Sequence, residues 1–487
     1  MTSYNRNSDA QKPHIVVIGG GLAGLSAAIS SIDAGARVTV MEKRPRFGGA
    51  TWSFDRNSLF FDSGQHVYLA CCTGYQWFLD RIGASHLAPL RGKLNLPVLD
   101  AAVSGKISFL RRRDLKAPLH LADSVLKYSH ITAADKAKLV FGALPLMRMD
   151  LNDKKLDKQT LAEFLRRHKQ SDAAIANFWE IINLATTNVR AEEVSLAVAA
   201  KVFKTLLTEK GAGDIGWSLV PLNDLHSKPA LELLSHSGAT IIKRARVMGI
   251  IGNTESTSEK NPGDPSRSHP DYPAKTVFGV SADGSDIRAD AVIVATDHMD
   301  AAELLPKDTE VNIDSLQKLQ YSPIINIHLV FDTKVMPFEI AAAVNSPAQF
   351  VFDTTSSSGL NPKTGQCLAV SVSAADSHVG WPSKDLIDLY QSEVEKLFPK
   401  AKSAKLTDAV VSREVKATMK VTAETNALRP SAVTGYQNLF LAGAWTDTGW
   451  PITMESAVLS GLKASKLALK HLGFKKSSEQ IGEGVLI

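Results

Sequence analysis

Short runs of β-branched residues alternate with stretches of helical spacing along this chain, and their order predicts its architecture. His14 to Ile18 (HIVVI) is a continuous apolar run that enters Gly19-Gly20-Gly21-Leu22-Ala23-Gly24, and an Ala- and Ser-rich helical pattern continues to Asp33. A second run, Arg37 to Met41 (RVTVM), ends at Glu42. Strand, glycine turn, helix and strand make a βαβ unit. From about Thr73 to Gly211 apolar residues recur at three and four positions, as in Leu156 to His168 (LDKQTLAEFLRRH) and Val194 to Thr208 (VSLAVAAKVFKTLLT). That spacing predicts an inserted helical region.

Between Ala239 and Thr296 the short β runs return (ATII, RVMGI, VFGV, AVIVAT). A polar, Pro- and Ser-rich segment interrupts them and reads as a mobile loop, residues 252–275, in a β meander. Asn326 to Ser373 is β-rich and Lys384 to Phe398 helical. Finally Asn438 to Ala442 (NLFLA) meets another glycine turn, and Met454 to Leu469 places small residues at helix-packing spacing.

At 487 residues the chain is too long for one ordinary core and suits two or three domains. Apolar residues at 44% and charged residues at 22% exclude general disorder and fibrous repeats. A net charge of +5 is too small to wrap a nucleic-acid backbone, so no nucleic-acid partner is expected. The densest basic run, Arg111-Arg112-Arg113 with Lys106 and Lys116, reads as a solvated loop or as a contact for an anionic membrane.

Cys71, Cys72 and Cys367 have no metal-ligand spacing, so no metal and a reducing compartment are expected. The opening MTSYNRNSDAQKP does not read as a signal peptide, and no apolar run reaches the length of a membrane span. Leu139 to Met147 (LVFGALPLM), between Lys138 and Arg148, is either a core segment or one that dips into one leaflet.

The chemistry begins at Gly19-x-Gly21-x-x-Gly24. After a strand and at a helix start, this pattern puts bare backbone N–H groups and a positive helix end where a pyrophosphate can sit. Glu42 ends the second strand 18 residues beyond Gly24, where a carboxylate accepts from a ribose 2′-OH and repels a 2′-phosphate. A bound dinucleotide is the reading. Gly48-Gly49 comes soon after, and LFLAGAWTDTGWPITMESAVLSG supplies a second glycine turn and helix near the end.

On these segments the sequence resembles the flavin-dependent amine oxidase and carotenoid desaturase superfamily, and the resemblance covers both ends of the chain. Gly48-Gly49-Ala50-Thr51-Trp52-Ser53-Phe54, Asp62-Ser63-Gly64-Gln65-His66 with Val67-Tyr68-Leu69, Pro118-Leu119-His120-Leu121, and Gly449-Trp450-Pro451-Ile452-Thr453-Met454-Glu455 are similar to its squalene-associated branch, the hydroxysqualene dehydroxylases. The resemblance implies FAD, its ADP half held by Gly19, Gly21, Gly24 and Glu42, with Gly49 crossing the pyrophosphate and Val247 at the adenine side. It also implies that Ala295 and Thr296 line the cofactor, and that Gly443, Thr453 and Met454 meet the ribityl chain and flavin ring. Ala444 stands where the superfamily often has an acidic residue, so Asp447 or a water supplies that contact, and Ala50 replaces a common Arg.

The implied reaction is reductive removal of the allylic hydroxyl of hydroxysqualene, a long-chain isoprenoid, to give squalene and water for hopanoid synthesis. Hydroxide leaves poorly unless protonated, which makes Asp62 and His66 the candidate proton donors; each also has a structural reading, as a turn cap and a core histidine. His120, His226 and His328 read as structural. Phe141, Leu144, Leu146, Met147, Phe178, Trp179 and Trp217 are core residues of which a subset lines a polyene tunnel.

The fold this implies is a two-domain α/β protein, FAD-binding and Rossmann-like, of the amine oxidase/desaturase type with an interleaved α+β substrate domain. Residues 1–12 are expected to be disordered, 13–75, 212–305 and 400–487 to form the FAD domain, and 76–211 and 306–399 the substrate domain. The expected location is cytoplasmic, peripheral on the inner membrane face, with an unidentified electron donor. Two alternatives remain: a carotenoid-type (phytoene or dehydrosqualene) desaturase, and a non-catalytic isoprenoid-binding escort protein.

Overall fold

His14–Ile18 is buried along its whole length because it is the central strand of a five-stranded parallel sheet. Arg37–Glu42 and then Thr240–Lys243 lie to one side, and Ala291–Val294 and then Leu439–Leu441 to the other. This computed structural model describes residues 12–253 and 275–474, so the N-terminal segment and most of the loop expected at 252–275 lie outside the described residues.

A parallel sheet must be covered on both faces, and the side-chain alternation of the central strand divides the work. Ile15 and Val17 pack with Leu25 and Ile29 of the helix Leu22–Asp33 and with Leu462 of the helix Met454–His471. Val16 and Ile18 face the opposite way, against Val247, Val277 and Val280 of a three-stranded antiparallel meander. Each such side chain stabilises the layer by roughly 1.5–3 kcal/mol when fully buried.

The two helices cross closely because the contact is built from small residues. Ser31 Oγ lies 2.9 Å from Ser465 Oγ, and Ser26 Oγ donates to the Val458 carbonyl at 3.3 Å. A Cβ on Gly461 would stand 2.1 Å from the Ala23 carbonyl oxygen, so any side chain there drives the helices apart.

The second layer is a seven-stranded sheet in the order Leu406–Met419, Tyr321–Phe331, Gln366–Val372, Phe350–Asp353, Ile340–Val344, Asn95–Asp100, Ile107–Arg111. Only the contact between Ile340–Val344 and Asn95–Asp100 is parallel. Ile325, Ile327, Leu329 and Phe331 pack with Leu386, Tyr390 and Val394 of the helix Ser383–Leu397. Val98, Ala342 and Phe352 join a separate core with the helices Ala133–Arg148, Leu161–Arg167 and Leu196–Thr208.

Three expectations change. The region from 73 to 211 is not wholly helical: Asn95–Asp100 and Ile107–Arg111 form a hairpin at the sheet edge, a few residues each and therefore invisible to a helical period. The segment from 400 does not begin in the nucleotide layer, because Leu406–Met419 pairs with Tyr321–Phe331 in the other sheet. Likewise the helix Thr73–Arg81 packs into the nucleotide layer through Tyr75, Phe78 and Leu79.

Candidate active site

The glycine turn is closed by its neighbours. A Cβ on Gly24 would lie 1.9 Å from the Gly19 carbonyl oxygen, and one on Gly49, which sits at φ +60°, would lie 2.9 Å from the Gly21 Cα. The two glycine segments thus face each other backbone to backbone, bonded by Gly48 N–H to the Gly20 carbonyl at 2.8 Å. Gly19, Gly21, Gly24 and Gly49 present bare main chain here, with the Phe47 ring packed against Gly20, and the cradle fits a pyrophosphate at the start of the helix Leu22–Asp33. Arg46, whose guanidinium donates to the Gly49 carbonyl at 2.8 Å, adds a cation four residues before Ala50.

Glu42 is buried at the end of its strand. Its carboxylate accepts from the N–H groups of Gly20 and Arg44, each at 2.8 Å, and so stands beside the glycine turn. The Glu42 carbonyl accepts from Ala245 N–H at 3.0 Å, which brings Val247 to the same edge.

The far side of the cradle is the second glycine turn. Ala295 N–H donates to the Ile18 carbonyl at 2.7 Å, and the Ala295 carbonyl lies against Gly19. The indole N–H of Trp445 donates to the Thr296 carbonyl at 2.9 Å, and Gly443 N–H donates to Ser460 Oγ at 2.8 Å. Thr453 caps the helix Met454–His471, which Met454 begins. The fold therefore gathers Gly19, Gly21, Gly24, Glu42, Gly49, Ala295, Thr296 and Gly443 into one region. Asp447 is exposed, and its carboxylate accepts from Gly449 N–H at 3.2 Å as a turn within the loop.

Sequence reasoning did not single out Arg429. This buried guanidinium donates to the carbonyls of Ala444, Trp445, Thr446 and Trp450 at 2.6 to 3.4 Å, and so holds the loop between the glycine turn and the last helix. Burial pushes it down to about 10. Glu455 was also passed over: its carboxylate accepts from Gly74 and Tyr75 N–H at 2.9 and 2.7 Å, capping the helix Thr73–Arg81 from across the layer. Neither role has a local signal, since both partners are distant in sequence.

Asp62 ends the hairpin Ser53–Arg56 / Leu59–Asp62. The substrate sheet grips the chain at the hairpin's exit: His328 Nε2 meets the Asp62 carbonyl at 3.2 Å, and Asn326 Nδ2 donates to the Ser63 carbonyl at 3.1 Å. Asp62 Oδ1 accepts from Ser53 Oγ at 2.6 Å and from Leu222 N–H at 3.2 Å; Oδ2 takes no such bond among the described residues. Burial raises this carboxyl to about 6, against the lowering effect of both hydrogen bonds.

His66 shares a narrow enclosed cleft with Asp62, Gln65, Val67, Trp217 and Phe352. Its Nδ1 lies 2.8 Å from the Gly64 carbonyl, which can only accept, so Nδ1 carries the hydrogen and Nε2 presents a lone pair. Desolvation lowers its pKa. His226, wholly buried, has its Nε2 at 2.6 Å from the Tyr75 hydroxyl and is pushed down to about 3 by burial and then by His66. Among the described residues the Gln65 amide nitrogen is buried without a partner, so this cleft retains a polar atom that a bound molecule can satisfy.

Of the expected tunnel residues, Leu146 and Trp179 are buried core, Trp217 lines the cleft, and Phe141 and Leu144 are exposed on the outside. The basic triplet is paired rather than free: Arg112 makes a two-pronged contact with Asp214, Arg113 bonds Asp123, and Arg111 bonds Asn95. Among the described residues no helix is long and apolar enough to cross a membrane.

Residues 22–469 match the family described as flavin containing amine oxidoreductase. The chain is similar to the hydroxysqualene dehydroxylase of Zymomonas mobilis, at 28% identity over 93% of this chain and 99% of the relative. It is also similar to the zeta-carotene desaturase of Synechocystis, at 22% identity over 94% and 97% respectively. An oxidoreductase from Methanosarcina mazei shares the fold, with a TM-score of 0.68 and 18% identity over 92% of this chain and 99% of that one. With a bare-backbone cradle that fits FAD and a family match along nearly its whole length, the chain belongs to the flavin containing amine oxidoreductases and is an FAD-dependent oxidoreductase.

Proposed function

We propose that this protein removes the allylic hydroxyl of hydroxysqualene, giving squalene and water, and that it meets its lipid-soluble substrate at a membrane surface. The observation that carries this reading is the buried carboxyl of Asp62, with a raised pKa and a free Oδ2, on the cleft where the substrate sheet grips the segment after the first glycine turns. Bound FAD, once reduced by a partner donor, supplies the hydride.

The chain's own part is to deliver a proton and exclude water. Protonated Asp62 carries its hydrogen on Oδ2, since Oδ1 is engaged by Ser53 and Leu222, and delivers it to the departing hydroxyl. Neutral His66 accepts at Nε2 and orients the substrate hydroxyl rather than protonating it. Trp217, Val67, Leu222 and Phe352 supply the apolar part of a wall that also carries Ser218, Asp353 and Thr354, and it is against this apolar part that the electron-poor carbon left behind would be shielded from water. The Gln65 amide, buried without a partner among the described residues, is a ready donor to the substrate or the cofactor.

The similarity to zeta-carotene desaturases favours a second reading, in which the oxidised cofactor takes hydride from a polyene. Direction of electron flow separates the two. Pre-reduced protein is mixed anaerobically with hydroxysqualene in detergent, the flavin absorbance is followed and the lipid is extracted. Flavin reoxidation with squalene in matching amount is the expected result; a flavin that stays reduced over unchanged lipid refutes it and makes polyenes the next substrates to offer.

A further inference from the structure

The helix Ala133–Arg148 is apolar on two sides. Leu139, Gly142 and Leu146 face the core, while Val140 (45% exposed), Phe141 (47%) and Leu144 (39%) face outward, and Ala133 and Ala137 extend that outer stripe. Beside it run residues 119–127, where Leu119 is 61% and Leu126 72% exposed. Lys136 Nζ donates to the Leu126 carbonyl at 2.9 Å, which ties the two segments into one face. Large apolar side chains left in water at helical spacing mark a contact surface.

Charge decides what covers it. Residues 115–148 contain five Lys or Arg and two Asp. Asp135 is buried in the helix cap, bonded to Thr132 and Ser171, and Asp123 is paired with Arg113 and Lys127. Lys116, Lys138 and Arg148 are exposed around the apolar stripe, and the Lys169 ammonium lies 4.9 Å from the Phe141 ring. An apolar centre with a cationic rim matches an anionic bilayer: the side chains enter the acyl boundary while the lysine stems lie along it and leave their ammonium groups among the phosphates. A second copy of the chain would bring a like-charged rim against this one.

We propose that the outer face of helix Ala133–Arg148, with Leu119 and Leu126, is the surface by which this protein docks on anionic phospholipid. It deepens the reading of a lipid-soluble substrate, on which it rests for its purpose but not for its geometry. The triplet Arg111 to Arg113, already engaged in ion pairs and hydrogen bonds, is not the anchor.

The full-length holoprotein is sedimented with vesicles of phosphatidylcholine alone and of phosphatidylcholine with phosphatidylglycerol. The parent is expected to bind the anionic vesicles and to weaken as salt rises. Phe141→Glu with Leu144→Glu is expected to lower that binding about tenfold or more, with melting temperature and turnover of detergent-dispersed hydroxysqualene unchanged. Lys138→Glu, which leaves the apolar stripe intact, is expected to weaken binding to anionic vesicles alone.

Equal binding by the parent and the double variant overturns the proposal. So does a parent that binds neither vesicle and sediments as a dimer that the double variant dissociates, which makes this face an interface between copies. Vesicle binding that the double variant loses, in a parent that leaves hydroxysqualene unchanged, upholds the docking face and removes the substrate assignment instead.

Discussion

Replacing Asp62 by Asn separates its electrostatic role from its shape. An amide oxygen at Oδ1 can accept the same bonds from Ser53 and Leu222, so the hairpin contact survives while the titration disappears. The folded-state pKa of about 6 lies above the usual carboxylate value, so the folded protein holds this proton more tightly than the unfolded chain. The stabilisation is therefore complete below about pH 4 and is lost as pH rises through 6.

A shift of about two units corresponds to roughly 3 kcal/mol, of which about 2 falls between pH 4.5 and 7.5. Urea unfolding of parent and Asp62→Asn at those two values measures it, because other titrating groups cancel in the difference. The variant should gain about 2 kcal/mol on the parent from the lower to the higher pH. In single turnover with pre-reduced protein the same variant should lose about 10²-fold or more in rate, the scale of a missing proton donor. Identical pH dependence, within about 0.5 kcal/mol, refutes the buried-carboxyl argument. An unchanged single-turnover rate leaves Asp62 as a turn residue only.

Three other substitutions probe the cofactor site and its frame. Glu42→Ala removes the carboxylate that stands at the glycine turn, and the protein should purify with little FAD; full occupancy by absorbance would refute the ribose assignment. Arg429→Met leaves the carbonyls of Thr446 and Trp450 without their donor, costing about 3–5 kcal/mol and loosening the flavin; a melting curve matching the parent's rejects its hold on the loop. Gly461→Val forces a side chain into the Ala23 carbonyl and should lower the melting temperature by several degrees, whereas a serine in place of exposed Gly380 should change nothing measurable.

The nucleotide layer was legible because its signals are local. HIVVI, the three glycines and Glu42 lie within thirty residues, and a parallel strand buried on both faces reads as an unbroken apolar run. Asp62 and His66 were legible only as candidates, since the raised carboxyl depends on burial in the folded chain and the donating Nδ1 on the Gly64 carbonyl, rather than on residue type.

The edge hairpin Asn95–Asp100 / Ile107–Arg111 escaped notice because it is short and surrounded by helical spacing. Leu406–Met419 was assigned to the wrong layer because no local signal identifies the sheet a strand joins. Phe141 and Leu144 read as core residues, candidates for the tunnel subset, because periodicity finds an apolar position without saying which side of the helix faces protein.

The crossing of Leu22–Asp33 with Met454–His471 also sets a schedule for biosynthesis. Ser26 meets Val458 across 432 residues, and the covering helix leaves the ribosome long after the strand it protects. At ordinary translation speeds the interval is roughly 20–90 s. During it the side of the first strand that carries Ile15 and Val17 lacks Leu462 and its neighbours. Gly443 is also still to come, so the cradle cannot close around a cofactor while the chain is being made. The cradle therefore waits for the C-terminal segment before it can close around a cofactor, and until then that apolar face is open to contact with other chains.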